Sequence, residues 1–191
     1  MRLLEDRIRT DGKVLSGDIL KVDGFLNHMI DVRFVAELGR EFHRIYGDCG
    51  INKILTIESS GIGVACLTAQ FFDCPVVFAK KSKSRNVSAD VYHVQIPSFT
   101  HGNVADVIVS KQYLGAGDRV LIIDDFLATG NALIGLMEIV KESGAELVGA
   151  GIVIEKAYQD GGEKIRAQGV RVESLARIAS MDEKTGIVFC D

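Results

Sequence analysis

With 191 residues, 47% of them hydrophobic and 25% charged, the chain has the length and composition of one globular domain with matter enough for a core, which excludes disorder as its main state. Twenty-two basic residues against 26 acidic ones leave a net charge of −4, which excludes binding nucleic acid through a global basic field but not a local basic site. No run approaches the ~18 apolar residues of a transmembrane helix, and the charged segment Met1–Arg7 does not read as a signal peptide.

The first 30 or so residues have no obvious place in a sheet and are expected to form a small cap over one end of it. Val35, Leu38, Phe42 and Ile45 recur at steps of three, four and three, which predicts a helix over 31–46. Lys53–Glu58 reads as a buried strand, Ser59-Ser60-Gly61-Ile62-Gly63 as a turn, and Val64–Phe72 as an apolar helix. Pro75–Ala79 is a second strand, so the unit is β-α-β with parallel strands and a right-handed crossover. Residues 80–90 are polar and aperiodic and read as an exposed loop carrying Lys80, Lys81, Lys83 and Arg85. Val91–Ile96 and Val104–Val109 alternate like antiparallel strands, and Gly115–Asp118 is a turn. Arg119–Asp125 is the strongest strand. A helix from Thr129 to Glu142 places Leu133, Leu136, Met137 and Val140 on one face and ends at Ser143-Gly144. Leu147–Ile154 is another apolar strand, with Glu155-Lys156 at its carboxyl end. The pattern predicts an α/β fold, a mostly parallel sheet flanked by helices.

The chemistry concentrates in Val120–Ala132. A buried strand runs into two adjacent carboxylates, Asp124 and Asp125, then a short loop and a helix opening with Thr129-Gly130-Asn131. Such a loop lies at the carboxyl end of a parallel strand, where open α/β sheets bind ligands. Free backbone N–H groups at a helix start can cradle a phosphate. Two carboxylates beside a phosphate make sense as acceptors for sugar hydroxyls or as partners of a cation. The bland alternative is that they end a strand and cap a helix. Neither G-x-x-x-x-G-K-[ST] nor G-x-G-x-x-G occurs, which excludes a Walker loop and a dinucleotide fingerprint.

The run Ile122-Ile123-Asp124-Asp125-Phe126-Leu127-Ala128-Thr129-Gly130 resembles the phosphoribosyl-diphosphate (PRPP) motif of the type I phosphoribosyltransferases. Glu58–Gly63 matches the position of that family's tight diphosphate-binding turn, and residues 80–90 that of its mobile catalytic loop. Leu20–His28, Gly151–Lys156 and Val172–Ile178 are similar to the bacterial xanthine phosphoribosyltransferases, so the resemblance covers nearly the whole chain. It implies a single phosphoribosyltransferase domain over 1–191, with a hood of roughly residues 1–32 plus part of the C-terminal segment. It implies attack of a purine, xanthine first, on the anomeric carbon of PRPP, with inversion and loss of diphosphate. Asp124 and Asp125 would hold the ribose hydroxyls, and Lys80 and Lys81 would meet the diphosphate as the loop closes. Ala128, Thr129, Gly130, Asn131 and Ala132 would bind the 5-phosphate, with Ser59, Ser60 and Gly61 near the diphosphate. Leu20, Asn27 and Lys156 would contact the purine. Mg²⁺ is expected to ride on the substrate diphosphate without a protein cage, and the family implies a homodimer.

Ala128 stands where hypoxanthine-guanine enzymes usually keep an Asp, so no general base is assigned. Phe25 either stacks on a purine or anchors the cap, and Glu155 either pairs with Lys156 or leaves it free for ligand. His28, His43, His93 and His101 are scattered, and Cys49, Cys66, Cys74 and Cys190 form no C-x-x-C pair, which suits structural thiols in a reducing cytoplasm. Transferases for adenine, guanine, hypoxanthine or a pyrimidine are alternatives, as is a PRPP-sensing regulator. The regulator would need an added nucleic-acid domain or a basic face, for which 191 residues and −4 leave no room.

Overall fold

Apolar runs in the sequence become the strands of an eight-stranded sheet in the computed structural model, which describes residues 1–16, 18–82, 90–97 and 104–190. In chain order the elements are α1 (Arg2–Asp11), the hairpin strands β1 (Lys13–Leu15) and β2 (Ile19–Lys21), one wide turn at Asp23–Asn27, and α2 (Val32–Tyr46). Then come β3 (Lys53–Ile57), α3 (Gly61–Phe72), β4 (Val76–Ser82), β5 (Val91–Pro97), β6 (Val104–Ser110), β7 (Arg119–Leu127) and α4 (Asn131–Ser143). The chain ends with β8 (Glu146–Lys156), α5 (Gly161–Arg166), β9 (Val172–Asp182) and β10 (Gly186–Phe189). The sheet order is β10-β9-β8-β7-β3-β4-β6-β5. Neighbours from β9 to β4 are parallel, whereas β10, β6 and β5 pair antiparallel at the two edges.

Val120–Ile123 of β7 are fully buried because the strand is covered on both faces, which is why it reads as an unbroken apolar run. Its side chains alternate between two cores. Leu121 and Ile123 join α1, α2 and α3 on one face; Val120 and Ile122 join α4 and Ile165 of α5 on the other. Helix α2 starts at Asp31, whose carboxylate accepts the Phe34 N–H at 3.2 Å. It packs closely on α3 at Gly39, where a Cβ would come within 2.9 Å of the Thr68 Cα. The N-terminal cap sits on the first core through Leu4, Ile8, Leu20, Phe25 and Leu26. Phe25 is fully buried, edge-on to Phe34 with Arg7 over both rings, so it anchors the cap and does not stack on a ligand.

From β3 the chain builds outward through β4, then returns to lay β7 on the other side of β3. That reversal is the switch point at which an α/β sheet opens a crevice beyond its carboxyl ends. Several boundaries differ from expectation: β7 runs two residues past Asp125 to Leu127, and β8 extends from Glu146 through Lys156. Strand β4 runs on through Lys80 and Lys81, which pair with Ile108 and Val107 of β6, so these two lysines lie in a strand and not in a loop; 83–89 fall outside the described residues. Helices α3 and α4 begin at Gly61 and Asn131 in place of Val64 and Thr129. Elements α5, β9 and β10 were not expected; polar residues interrupt the apolar pattern of β9, whose side chains alternate only in part between core and solvent.

Candidate active site

Strand β7 delivers Asp124 and Asp125 to the crevice. Asp124 is 6% exposed, and its Oδ1 accepts the Asp125 N–H at 3.0 Å. Burial, and then the charge of Asp125, push the Asp124 carboxyl well above the usual carboxylate range. Burial also raises Asp125, while hydrogen bonds from Asp124 and from the backbone oppose the rise. Lys81 is the cation that pulls both carboxyls back down. Charging this buried acid pair is costly, so hydroxyl donors or a nearby cation would be favoured partners of its ionised form.

The chain then turns at Gly130, whose φ of +84° suits glycine, and enters α4 with no side-chain cap. The first-turn N–H groups of α4 are therefore unspent at the positive end of a 13-residue helix. Lys81, Ala128, Thr129, Gly130, Asn131 and Ala132 line one cavity of about 230 Å³. Asn131 ties this loop to β5 by donating from Nδ2 to the Pro97 carbonyl at 3.5 Å. A concave ring of backbone donors with one ammonium suits a phosphate.

The turn after β3 closes the crevice from the other side. The Glu58–Ser59 peptide is cis, and Ser60 precedes α3 without spending its hydroxyl on the helix. Gly61 packs closely against Asp124: a Cβ there would lie 2.4 Å from Thr56 Oγ1 and 2.9 Å from Asp124 Oδ1. Glu58 accepts the Lys81 N–H, which ties this turn to β4. The structure thus gathers Asp124, Asp125, Lys81, Ser59, Ser60, Gly61 and residues 128–132. It does not gather Lys80. Adjacent strand residues point to opposite faces, and Lys80 lies 5.8 Å from the Phe78 ring, lining a separate cavity of about 610 Å³ with Lys53, Val76, Ile108 and Tyr113.

Lys156 ends β8 next to the strand that carries the acids, one residue past the Leu127–Glu155 pair. Glu155 does not compete for it. Glu155 is 2% exposed and binds Arg166 through both oxygens at 2.7 Å, Ser174 at 2.5 Å and Arg177 at 3.3 Å. Burial raises this carboxyl, but the hydrogen bonds of Arg166 and Ser174 and the two guanidinium charges outweigh it and hold it below the usual range. Lys156 is half-buried, which lowers its ammonium, and the nearby Asp18 opposes that shift. Its Nζ donates to the Asp18 carbonyl of the cap. Asn27 closes the wide turn of the cap, and its Oδ1 is buried without a partner. Leu20 is 7% exposed and belongs to the core, so little of it is left to touch a ligand.

Sequence reasoning missed the support beneath the 128–132 loop. A Cβ on Gly161 would lie 2.2 Å from the Ala128 carbonyl oxygen, and one on Gly162 2.1 Å from Glu155 Oε1. The Asp160-Gly161-Gly162 string after an apolar strand was the available signal. Among the described residues no three His, Cys, Asp or Glu side chains cluster as a metal site. The four cysteines are free, and no helix among the described residues is long and apolar enough to cross a membrane.

The family described as "Phosphoribosyl transferase domain" matches residues 27–183. A protein of Lachnoclostridium phytofermentans named xanthine phosphoribosyltransferase is 56% identical over 188 residues, covering 98% of this chain and 97% of its own. One of Bacillus mycoides with the same name is 51% identical over 185 residues, 97% of this chain and 94% of its own. Among solved structures, an APRTase from Giardia lamblia superposes with a TM-score of 0.79 at 22% identity, over 91% of this chain and 97% of its own. The adenine phosphoribosyltransferase of Rhodothermus marinus gives 0.74 at 21%, over 92% and 98%; at such identities the likeness concerns the fold. The acid pair, the uncapped helix start and the switch-point crevice therefore stand in a familiar frame, and the chain belongs to the phosphoribosyltransferase family, with its type I α/β fold.

Proposed function

We propose that the enzyme transfers the 5-phosphoribosyl group of PRPP to xanthine, forming xanthosine 5′-monophosphate and releasing diphosphate. One observation carries the transfer chemistry: Asp124 and Asp125 lie near the carboxyl end of β7, which leads through residues 128–130 into an uncapped helix N-terminus, and Lys81 lines the cavity at that helix start and acts on both acids. In this reading the N–H groups and side chains of 128–132 hold the 5-phosphate, the acid pair accepts from the ribose hydroxyls, and Ser59, Ser60 and Gly61 flank the diphosphate. The anomeric carbon gains positive charge as diphosphate departs, so positioning and electrostatics in a dry crevice supply most of the rate.

The donor set fits Mg²⁺ only as part of a complex with substrate. Two carboxylates are at hand, and the third ligand that a protein cage needs is lacking among the described residues. When bound, Mg²⁺ would neutralise part of the diphosphate charge and be held by substrate oxygens and water, with Asp125, the more accessible acid, able to reach it through water. The high identity to relatives named for xanthine supports that base, and a donor such as Lys156 suits its ring carbonyl. The free thiols fit a reducing cytoplasm, and the family resemblance supports a homodimer. Initial rates with PRPP and Mg²⁺ against xanthine, hypoxanthine, guanine and adenine test the reading. Xanthine should give the highest kcat/KM, and adenine in first place would overturn it.

A further inference from the structure

Lys156 is not an isolated donor. Its ammonium gives one proton to the backbone carbonyl of Asp18, from the turn between β1 and β2. The Asp18 carboxylate reaches the same strand end from the side. Its Oδ2 takes a weak hydrogen bond from Gln159 Nε2 at 3.5 Å, and it faces the Tyr158 hydroxyl. Burial, followed by Asp18, pushes that phenol up to about 12, so Tyr158 stays protonated. A carboxylate only accepts. It therefore fixes the Gln159 amide with nitrogen toward Asp18 and Oε1 away. That oxygen is sealed from water and has no hydrogen-bond partner. Asp18 itself has φ +62°, a left-handed conformation that Asp tolerates better than most residues and that helps set where its carbonyl points.

We propose that Asp18 is a specificity-determining positioning residue: it holds Lys156 as a donor and the Gln159 Oε1 as an acceptor, the complement of the –C(=O)–NH– edge of a 6-oxopurine. The ammonium has three protons and Asp18 takes one, so two remain for a ring carbonyl. Adenine presents the reverse edge, an amino donor beside a bare ring nitrogen, and mismatches both contacts. This rests on the reading of the enzyme as an oxopurine transferase. Access is built into the cap. Strands β1 and β2 have three residues each and only Leu20 of the six is buried, so the base can lift the hairpin at low cost, and Asp18 takes hold of Lys156 and Gln159 again as the hairpin settles back.

Asp18→Asn is the decisive variant. It keeps the backbone carbonyl and the tolerance of positive φ, and removes the charge. Among the described residues, the groups at Lys156 are Asp18 from the hairpin, which also faces Tyr158, Ile178 across on β9, and the neighbouring Glu155, which is turned to its two arginines. NMR titration of the Lys156 side chain should show a lower midpoint in the variant, because a charge that favours the ammonium is gone. The ratio of kcat/KM for xanthine to that for adenine should fall about 10-fold, the scale of one mismatched buried hydrogen bond, with KM for PRPP unchanged. Gln159→Leu should cut kcat/KM for both xanthine and hypoxanthine about 10-fold and leave the Lys156 titration in place. An active enzyme whose base preference ignores Asp18→Asn overturns the proposal alone. A wild-type enzyme idle on xanthine, hypoxanthine and guanine overturns the reading beneath it, and the titration still reports whether Asp18 acts on Lys156.

Discussion

Replacing Asp124 by Asn should stabilise the protein and disable it. Asp124 is 6% exposed, faces Asp125, and has its carboxyl raised well above the ordinary value of 3.8 by burial first and by Asp125 second. A carboxyl raised in the folded state binds more protons there than in the unfolded chain. Its favourable contribution is thus fully present below the unfolded value and is lost as pH rises through the folded one. As pH rises, the wild-type fold comes to carry the cost of charging a buried carboxyl beside Asp125. Asn keeps the Oδ1 that accepts the Asp125 N–H and removes the charge. Relief of such active-site strain is typically worth about 1 kcal/mol, or roughly 3 °C in Tm at this chain length. The gain should shrink toward pH 4, where the wild-type acid is itself neutral. On the proposed role, the same change removes a charged acceptor for the ribose hydroxyls, worth about 2 kcal/mol, so kcat/KM should fall about 30-fold. Thermal melts from pH 4 to 8, alongside steady-state rates with PRPP and xanthine, measure both effects. A variant that melts below wild type at pH 8, or gains equally at every pH, refutes the burial argument. One that turns over at the wild-type rate refutes the site.

The other acid behaves in the opposite way: Glu155 is held below its ordinary range, so its contribution is present above the unfolded value near 4.5 and is lost as pH falls through the folded one. Glu155→Gln should cost about 1–3 kcal/mol, the smaller end of a buried-pair loss because Arg166 and Arg177 remain partly exposed, and chemical denaturation at pH 7 and pH 4 should show the difference closing in acid. Gly161→Ala sets a Cβ 2.2 Å from the Ala128 oxygen and must shift the phosphate loop, so KM for PRPP should rise at least ~10-fold with far-UV circular dichroism unchanged; an unchanged KM would show that the loop does not depend on α5. Lys81→Met should raise KM for PRPP by about 10-fold, whereas Lys80→Met should leave it near wild type; equal losses from both would mean that strand parity does not sort the two lysines. Lys156→Met should lower kcat/KM with every oxopurine by about 10-fold, and an unaffected hypoxanthine rate would remove Lys156 from the base site.

What was legible in the sequence was local, because the chemistry there is continuous along the chain. Val120–Ile123 is buried on both faces, so its apolar run could only be a central strand, and the two acids that follow had to emerge at its carboxyl end. The proposed phosphate loop was legible for the same reason, since Gly130 and an uncapped helix start are consecutive residues. Lys80 and Lys81 look equivalent as neighbours in a basic run. They differ only once β4 is known to pair with β6 through residue 82, because pairing fixes a period of two and sends them to opposite faces. The base side was the least legible. Asp18 and Lys156 lie 138 positions apart, and nothing periodic joins the turn of a hairpin with three-residue strands to the end of β8. The glycines at 161 and 162 were visible as a turn, but their purpose depends on a carbonyl at 128 and a carboxylate at 155 that reach them through the fold. The proposed PRPP site is therefore written in consecutive residues, while the proposed base site is distributed over the cap, the end of β8 and the turn beyond it. On these assignments the two sit on separable parts of the molecule, and substitutions at Asp18 or Gln159 should change which base is accepted and leave the handling of PRPP unchanged.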